Sequence, residues 1–290
     1  MDKSNIAAIA RNLSFLFIGQ GASGVILFIT MAYLARVLGP HNFGVISFAE
    51  GVLMFFLGIT SLGLDYIGIR EIAKAKEKTI YFTDRIVSIR LLLALLSFVL
   101  LIMFVFILRK PLITKYVTII YGISLFSAAC FLDWVFQGLE KMQFVAIGSI
   151  TRALIFALGI VFLISNQEQV ITVSIIYSLS WLASSIVLLI FYIRNIGLPH
   201  FNKDLTAYKS LLKDSLPIGF SILAGWVIYY FGSTMLFLLK GEHEAGIFNA
   251  AFRPIILMVT GLTLYFNAIF PIISKSAAAD MYTLKQVINT

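Results

Sequence analysis

Between Ile86 and Leu108 the chain reads IVSIRLLLALLSFVLLIMFVFIL, an apolar run interrupted by a single charge, Arg90. A helix rises about 1.5 Å per residue and the hydrocarbon of a bilayer is roughly 30 Å thick, so about 20 such residues span it. Working outward, seven more blocks of this kind stand at about 13–35, 43–64, 112–133, 142–164, 170–193, 211–239 and 246–273. They are twice the length a barrel strand needs and lack its alternation of two. Inside lipid the backbone must satisfy its own hydrogen bonds, so blocks of this length become helices. The expectation is an all-α integral membrane protein with eight transmembrane helices.

Composition agrees with that solvent. Of 290 residues, 60% are hydrophobic and 12% charged, against roughly 25% charged in a soluble domain. The net charge of +8 suggests nucleic acid only until its distribution is read. With the N-terminus inside, fourteen of the 22 Lys and Arg residues fall on the cytoplasmic side, among them Arg70, Lys74, Lys76, Lys78, Arg85 and Arg194. Five fall outside (Arg36, Arg109, Lys110, Lys115, Lys240) and three within helices. This asymmetry is the positive-inside pattern, and it predicts a cell (inner) membrane protein with a cytoplasmic N-terminus and no nucleic-acid partner. The first block, preceded by Lys3 and Arg11, is too long for a signal-peptide core and reads as a retained helix. The single cysteine, Cys130, excludes an internal disulfide and makes a metal cluster implausible. No metal or other cofactor is expected.

The longest polar stretches are 65–85 and 194–213, both cytoplasmic, the first suited to a short interfacial helix with a basic face. The outer loops (GPHN, RKP, SNQEQ, KGEHE) are so short that neighbouring helices must run antiparallel. A shift of 202 residues lays 12–49 over 214–251 without a gap, placing Gly39 on Gly241, His41 on His243, Gly44 on Gly246 and Ala49 on Ala251. The copies are offset by six helices. An even number preserves orientation, so the repeat is parallel about an axis along the membrane normal. The expected organisation is a six-helix bundle over 1–200 and the first two helices of a second bundle over 201–290, as in a truncated chain.

Ionisable groups inside a membrane are costly and ask for a reason. The candidates are Glu50, Arg90, Arg152 and Arg253. Asn249, Arg253, Thr260 and Asn267 recur at helical spacing, as do Ser47, Glu50, Gly58, Ser61 and Asp65, and as do Ser174, Ser178, Trp181 and Ser185. One polar stripe on each of several helices is what a wet central cavity requires; close packing by small residues is the alternative, and it is favoured for the serine stripe. Guanidinium stays charged and grips phosphate through a planar fork, so three intramembrane arginines suit an anionic cargo. Arg90 and Arg152 stand near cytoplasmic helix ends, where snorkelling is the competing explanation. Glu50 reads as a counter-ion or a proton-coupling group. Pro254 removes a donor in mid-helix and is a candidate hinge. The phosphate-binding GxxxxGK[ST], HExxH, GxSxG and an outer-loop DxD are all absent, and the chain reads as a transporter, not an enzyme.

The stretch YLARVLGPHNFGVISFAEGVLMFFLGITSLGLDYIGIREIAKAK (Tyr33–Lys76) resembles the amino-terminal signature of the polysaccharide transporter family, the Wzx-like lipid-linked oligosaccharide flippases. LPIGFSILAGWVIYYF and AGIFNAAFRP, within Leu216–Pro254, resemble that family's seventh and eighth helices. The resemblance implies twelve or fourteen helices in two pseudo-symmetric bundles around a cationic cavity, of which eight are here. It implies a cargo of polyprenyl-pyrophosphate-linked oligosaccharide, moved from the cytoplasmic to the outer leaflet by alternating access, with membrane lipids and polysaccharide polymerase or ligase machinery as partners. Many relatives carry an aspartate after the tyrosine-rich stretch where Gly232 and Ser233 stand, so ion coupling would differ here. The related multidrug cation antiporters are the alternative within transporters, disfavoured by the arginines. A membrane glycan ligase or polymerase is the alternative outside them, disfavoured by the short outer loops.

Overall fold

The computed structural model describes residues 3–200 and 205–279, with side chains described for 14–200, 208–259, 261 and 262. Every regular element among the described residues is helical. The order is α1 (Lys3–Ser61), α2 (Leu64–Lys74), α3 (Thr79–Ile107), α4 (Leu112–Ala129), α5 (Asp133–Gly138), α6 (Met142–Leu163), α7 (Val170–Asn195), α8 (Leu205–Lys240) and α9 (Glu242–Ala279). Among the described residues six helices are long and apolar enough to cross a membrane. This is a multi-pass membrane protein.

The first of those six holds two of the sequence blocks. Its 48-residue stretch Ser14–Ser61 would be roughly 72 Å long if straight, more than two hydrocarbon thicknesses. It is not straight. Gly39 has φ 68 and ψ 171, a conformation open to glycine and strained for other residues, and Pro40 follows it. The chain turns back there: Ser23 and Met31 from the first arm and Glu50 and Met54 from the second line one cavity. A continuous rod would hold Ser23 and Glu50 roughly 40 Å apart. The blocks 13–35 and 43–64 are therefore the two arms of α1.

The second arm runs antiparallel along α8, and a row of glycines sets how close they come. A Cβ on Gly58 would meet Leu223 Cδ2 at 2.6 Å, one on Gly51 would meet Thr234 Oγ1 at 3.1 Å, and one on Gly44 would fall 1.8 Å from the Glu242 carbonyl oxygen. The seven-residue spacing of 44, 51 and 58 keeps these positions on one seam of the helix. At the start of α9 the contact is returned: a Cβ on Gly246 would fall 1.8 Å from the Pro40 carbonyl oxygen. Pro40 and Glu242, like Gly44 and Gly246, are partners under the 202-residue shift. Gly241 also has positive φ, 103, matching Gly39. The two copies thus meet backbone to backbone through equivalent residues.

Large apolar side chains are exposed as well as buried. On α3 the large side chains Leu92, Leu95, Leu96, Val99, Met103 and Phe106 are exposed, while Ser88, Ala94 and Ser97 are buried. Large apolar groups face lipid, and small or hydroxylated ones let helices pack. Ser178 donates to the Ile120 carbonyl at 2.7 Å, Ser185 to the Ser127 carbonyl at 2.6 Å and Ser184 to the Gly148 carbonyl at 2.7 Å. The serine face of α7 is thus helix–helix packing onto α4 and α6. Phe48 stacks on Phe237 at 4.1 Å between ring centres, and Lys110 donates to the Phe237 carbonyl at 3.1 Å, anchoring α8 to α1 and to the α3–α4 connection.

Gly44→Leu should therefore destabilise the protein by about 3 kcal/mol or more, since backbone cannot yield as a side chain does. Gly225→Ala, where an added Cβ meets nothing within 4 Å, should be neutral or stabilising by up to about 1 kcal/mol. Thermal unfolding in detergent micelles, followed by tryptophan fluorescence, compares the two.

Candidate functional site

A cavity of about 390 Å³ opens between both arms of α1, α6, α7, α8 and α9, and Glu50, Arg152 and Arg253 all line it. Glu50 comes from the second arm of α1, roughly two turns from Gly44, and Arg253 from the equivalent depth of α9. They form an ion pair, with Arg253 Nη2 on Glu50 Oε2 and Nη1 at 3.5 Å from Oε1. Their side chains are 14% and 11% exposed, so the pair sits at the wet edge of an apolar surround. The pair joins residues 203 positions apart, and pairing offsets much of the cost of holding each charge at this depth.

Arg152 of α6 has no carboxylate at ion-pair distance among the described residues. Its guanidinium lies over the ring of Trp181, 4.4 Å from the centroid, a cation–π contact that holds the plane without supplying a counter-ion. With Glu50 and Arg253 cancelling, the charged lining carries one net positive charge. Gln20, Ser149, Tyr177, Ser180 and Tyr230 add neutral hydrogen-bonding groups around it. None of these five belongs to the polar stripes read from the sequence.

Two cavity candidates stand elsewhere. Arg90 is 5% exposed, but away from the cavity. Its Nη1 lies 2.7 Å from Asp65 Oδ1, and its Nη2 donates to the Ala128 carbonyl at 2.6 Å. Arg90 is therefore the cap of the C-terminal end of α4, where a cation complements the exposed carbonyls and the helix dipole. Burial raises the Asp65 carboxyl above its ordinary range, and the Arg90 charge pulls the other way. Asn249 likewise turns aside: it donates to Ser233 Oγ and to the Ala245 carbonyl, both at 2.7 Å, tying α9 to α8. Arg90 stood out as an intramembrane charge and Asn249 by its spacing, and neither property says which neighbour the side chain meets.

Pro254 lies within α9, whose helical assignment is unbroken from Glu242 to Ala279. The side chains of Thr260 and Asn267 lie outside the described residues. Among the described residues no three His, Cys, Asp or Glu side chains gather as metal ligands.

A multi-pass helical bundle with a cationic cavity among α1, α6, α7, α8 and α9 defines a recognisable class of membrane protein. The model of the family described as "Polysaccharide biosynthesis protein" matches residues 9–277, and the chain belongs to that family. An O-antigen transporter of Escherichia coli (strain K12) is 25% identical over 258 residues, covering 86% of this chain and 60% of that protein. Its namesake in Shigella dysenteriae is 28% identical over 278 residues, covering 91% of this chain and 67% of that protein. The chain thus spans about three-fifths to two-thirds of the length of these relatives. The MATE multidrug transporter DinF-BH, solved as a ligand complex, shares the fold at a TM-score of 0.68 and 14% identity, over 96% of this chain and 67% of that one. A MOP superfamily transporter from Pyrococcus furiosus, described as having a binding pocket of reversed polarity, does so at 0.56 and 17%, over 91% and 64%.

Removing one member of the ion pair should be worse than removing both. Glu50→Gln leaves a buried guanidinium without its anion and should cost about 3 kcal/mol. The double variant Glu50→Gln/Arg253→Gln should recover more than half of that. A double-mutant cycle on thermal stability in micelles reads the coupling.

Proposed function

We propose that this chain is part of a flippase that carries polyprenyl-pyrophosphate-linked oligosaccharide from the cytoplasmic to the outer leaflet for surface polysaccharide synthesis. The observation that carries the reading is Arg152, a cavity-lining guanidinium with no ion-pair partner among the described residues, beside the Glu50–Arg253 pair. A pyrophosphate entering here meets two planar forks, one free and one held by an internal carboxylate. Glu50 then acts as a resident counter-ion: it keeps Arg253 charged and ordered in the empty cavity and yields to phosphate when cargo arrives. The remaining hydroxyl and amide groups suit sugar hydroxyls, which need many weak hydrogen bonds rather than charge. The relatives named O-antigen transporter support a saccharide cargo.

Moving the cargo requires the cavity to face each side in turn. With the N-terminus in the cytoplasm of an inner-membrane protein, the Gly39–Gly44 and Gly241–Gly246 turns lie on the outer side, so their backbone contact closes the cavity outward. Opening would part the two copies along that seam, with α9 bending at Pro254, where the ring removes a backbone donor. The bundle over 1–200 and the helices from 201 onward would be the bodies that rock. Polymerase or ligase machinery would take the cargo on the outer face. A multidrug cation antiporter would call for the opposite sign of cavity charge.

Arg152→Gln and Arg253→Gln should each lower transport roughly tenfold or more, the equivalent of a lost charged hydrogen bond of about 1.5–3 kcal/mol. Arg152→Lys should recover only part of it, because the ammonium has no fork. The assay is the leaflet distribution of lipid-linked precursor in cells carrying each variant. Deletion should leave precursor facing the cytoplasm, and normal surface glycan in a clean deletion would overturn the proposal.

A further inference from the structure

On the other flank of the α1–α8 contact lies a second hollow, of about 330 Å³, lined by apolar side chains and aromatic rings. Phe55, Phe56, Phe104, Val227 and Phe231 form its walls and Tyr230 its inner edge. Among the described residues no charged group lines it. Phe55, Val227 and Phe231 are exposed among the described residues, on long apolar helices, so the hollow is a groove that opens outward from them. Its back is closed by rings: Phe55 meets Phe56 edge-on at 5.6 Å and Phe56 lies 6.4 Å from Phe104.

Its position matters more than its lining. Tyr230 borders both this groove and the arginine cavity, so a single side chain divides them. Glu50 faces the cavity while the next residue, Gly51, lines the groove. At Gly51 the wall is thin because there is no side chain: a Cβ there would stand 3.1 Å from Thr234 Oγ1 and 3.6 Å from Tyr230 Cδ1. Two adjoining compartments, one cationic and one wholly apolar, match a molecule with an anionic head directly joined to a hydrocarbon chain. A bulk phospholipid chain in the groove would need no such shared wall.

We infer that the groove between the second arm of α1, α3 and α8 holds the hydrocarbon chain of the transported lipid, while its phosphates occupy the arginine cavity across Tyr230. The inference rests on the flippase reading and adds the path of the chain. The tail then travels along a defined helix seam, and the head never has to detach from it to enter the cavity. Chain and head are read by different surfaces, so cargo lacking a long chain should be handled poorly even when its phosphates and sugars are intact.

Two photoreactive probes test this in native membranes, each a polyprenyl pyrophosphate disaccharide, one with a diazirine in the chain and one with a diazirine on the sugar. A phospholipid with a diazirine in its acyl chain serves as the third. The chain probe should label Phe55 or Phe231 peptides at least fivefold more than the phospholipid probe does, and unlabelled cargo should suppress that labelling. The sugar probe should label peptides containing Ser149 or Arg152. Val227→Trp, which fills the groove, should cut chain labelling at least fivefold. Sugar labelling in the cavity with chain labelling elsewhere would overturn the groove and leave the flippase reading standing. Equal labelling of the groove by phospholipid, unaffected by cargo, would do the same. No cargo-specific labelling by either cargo probe would remove both.

Discussion

Where Gly44 faces the Glu242 carbonyl and Gly246 faces the Pro40 carbonyl, two helix pairs touch with no side chain between them. That backbone contact sets the distance between the two copies of the repeat, and almost everything of functional interest follows from it. Roughly two turns further along, the same geometry brings Glu50 against Arg253 across the interface. Were the helices held apart by ordinary side chains at the usual 8–10 Å, the carboxylate and guanidinium would each be left to find another partner in an apolar surround. In a membrane there is no hydrophobic drive between helices to do this work, so contact depends on fit and on polar pairs. Glycine supplies the fit and the ion pair supplies the polar attraction.

The cavity also has an electrostatic logic. Three charges that all remained unpaired would be very costly at this depth, and three that all cancelled would have nothing to offer an anion. The structure keeps one pair and one guanidinium without an ion-pair partner among the described residues, and lays the latter on Trp181, which steadies it without neutralising it. Arg90 shows the contrasting use of the same residue type. Paired with Asp65 and aimed at carbonyls at the end of α4, it holds the fold.

Much of the architecture was legible before any coordinates. Block length, the absence of alternation and the short connections reported the helices and their antiparallel order, because the solvent imposes those features on every spanning segment alike. The glycine register read at Gly39, Gly44, Gly241 and Gly246 falls on two positive-φ turns and two close backbone approaches. Less legible were the glycines at 44, 51 and 58 as a single docking row, since small residues are common in such helices and their spacing acquires meaning only beside α8. The serine stripe of α7 was correctly weighed as packing. The stripe through Arg253 was not uniform: Arg253 lines the cavity, while Asn249, one turn earlier, points to Ser233.

By itself, the sequence determined the solvent, the helical class, the chain reversals and the short list of charged residues that had to have partners. Those properties are local or compositional, written in runs of a few to some twenty residues. Only the tertiary structure decided which charges pair, which one stays free, and that an apolar groove adjoins the cavity across Tyr230. Partners such as Glu50 and Arg253 lie about two hundred positions apart. Their meeting depends on how whole helices cross, which no periodicity within a single helix records.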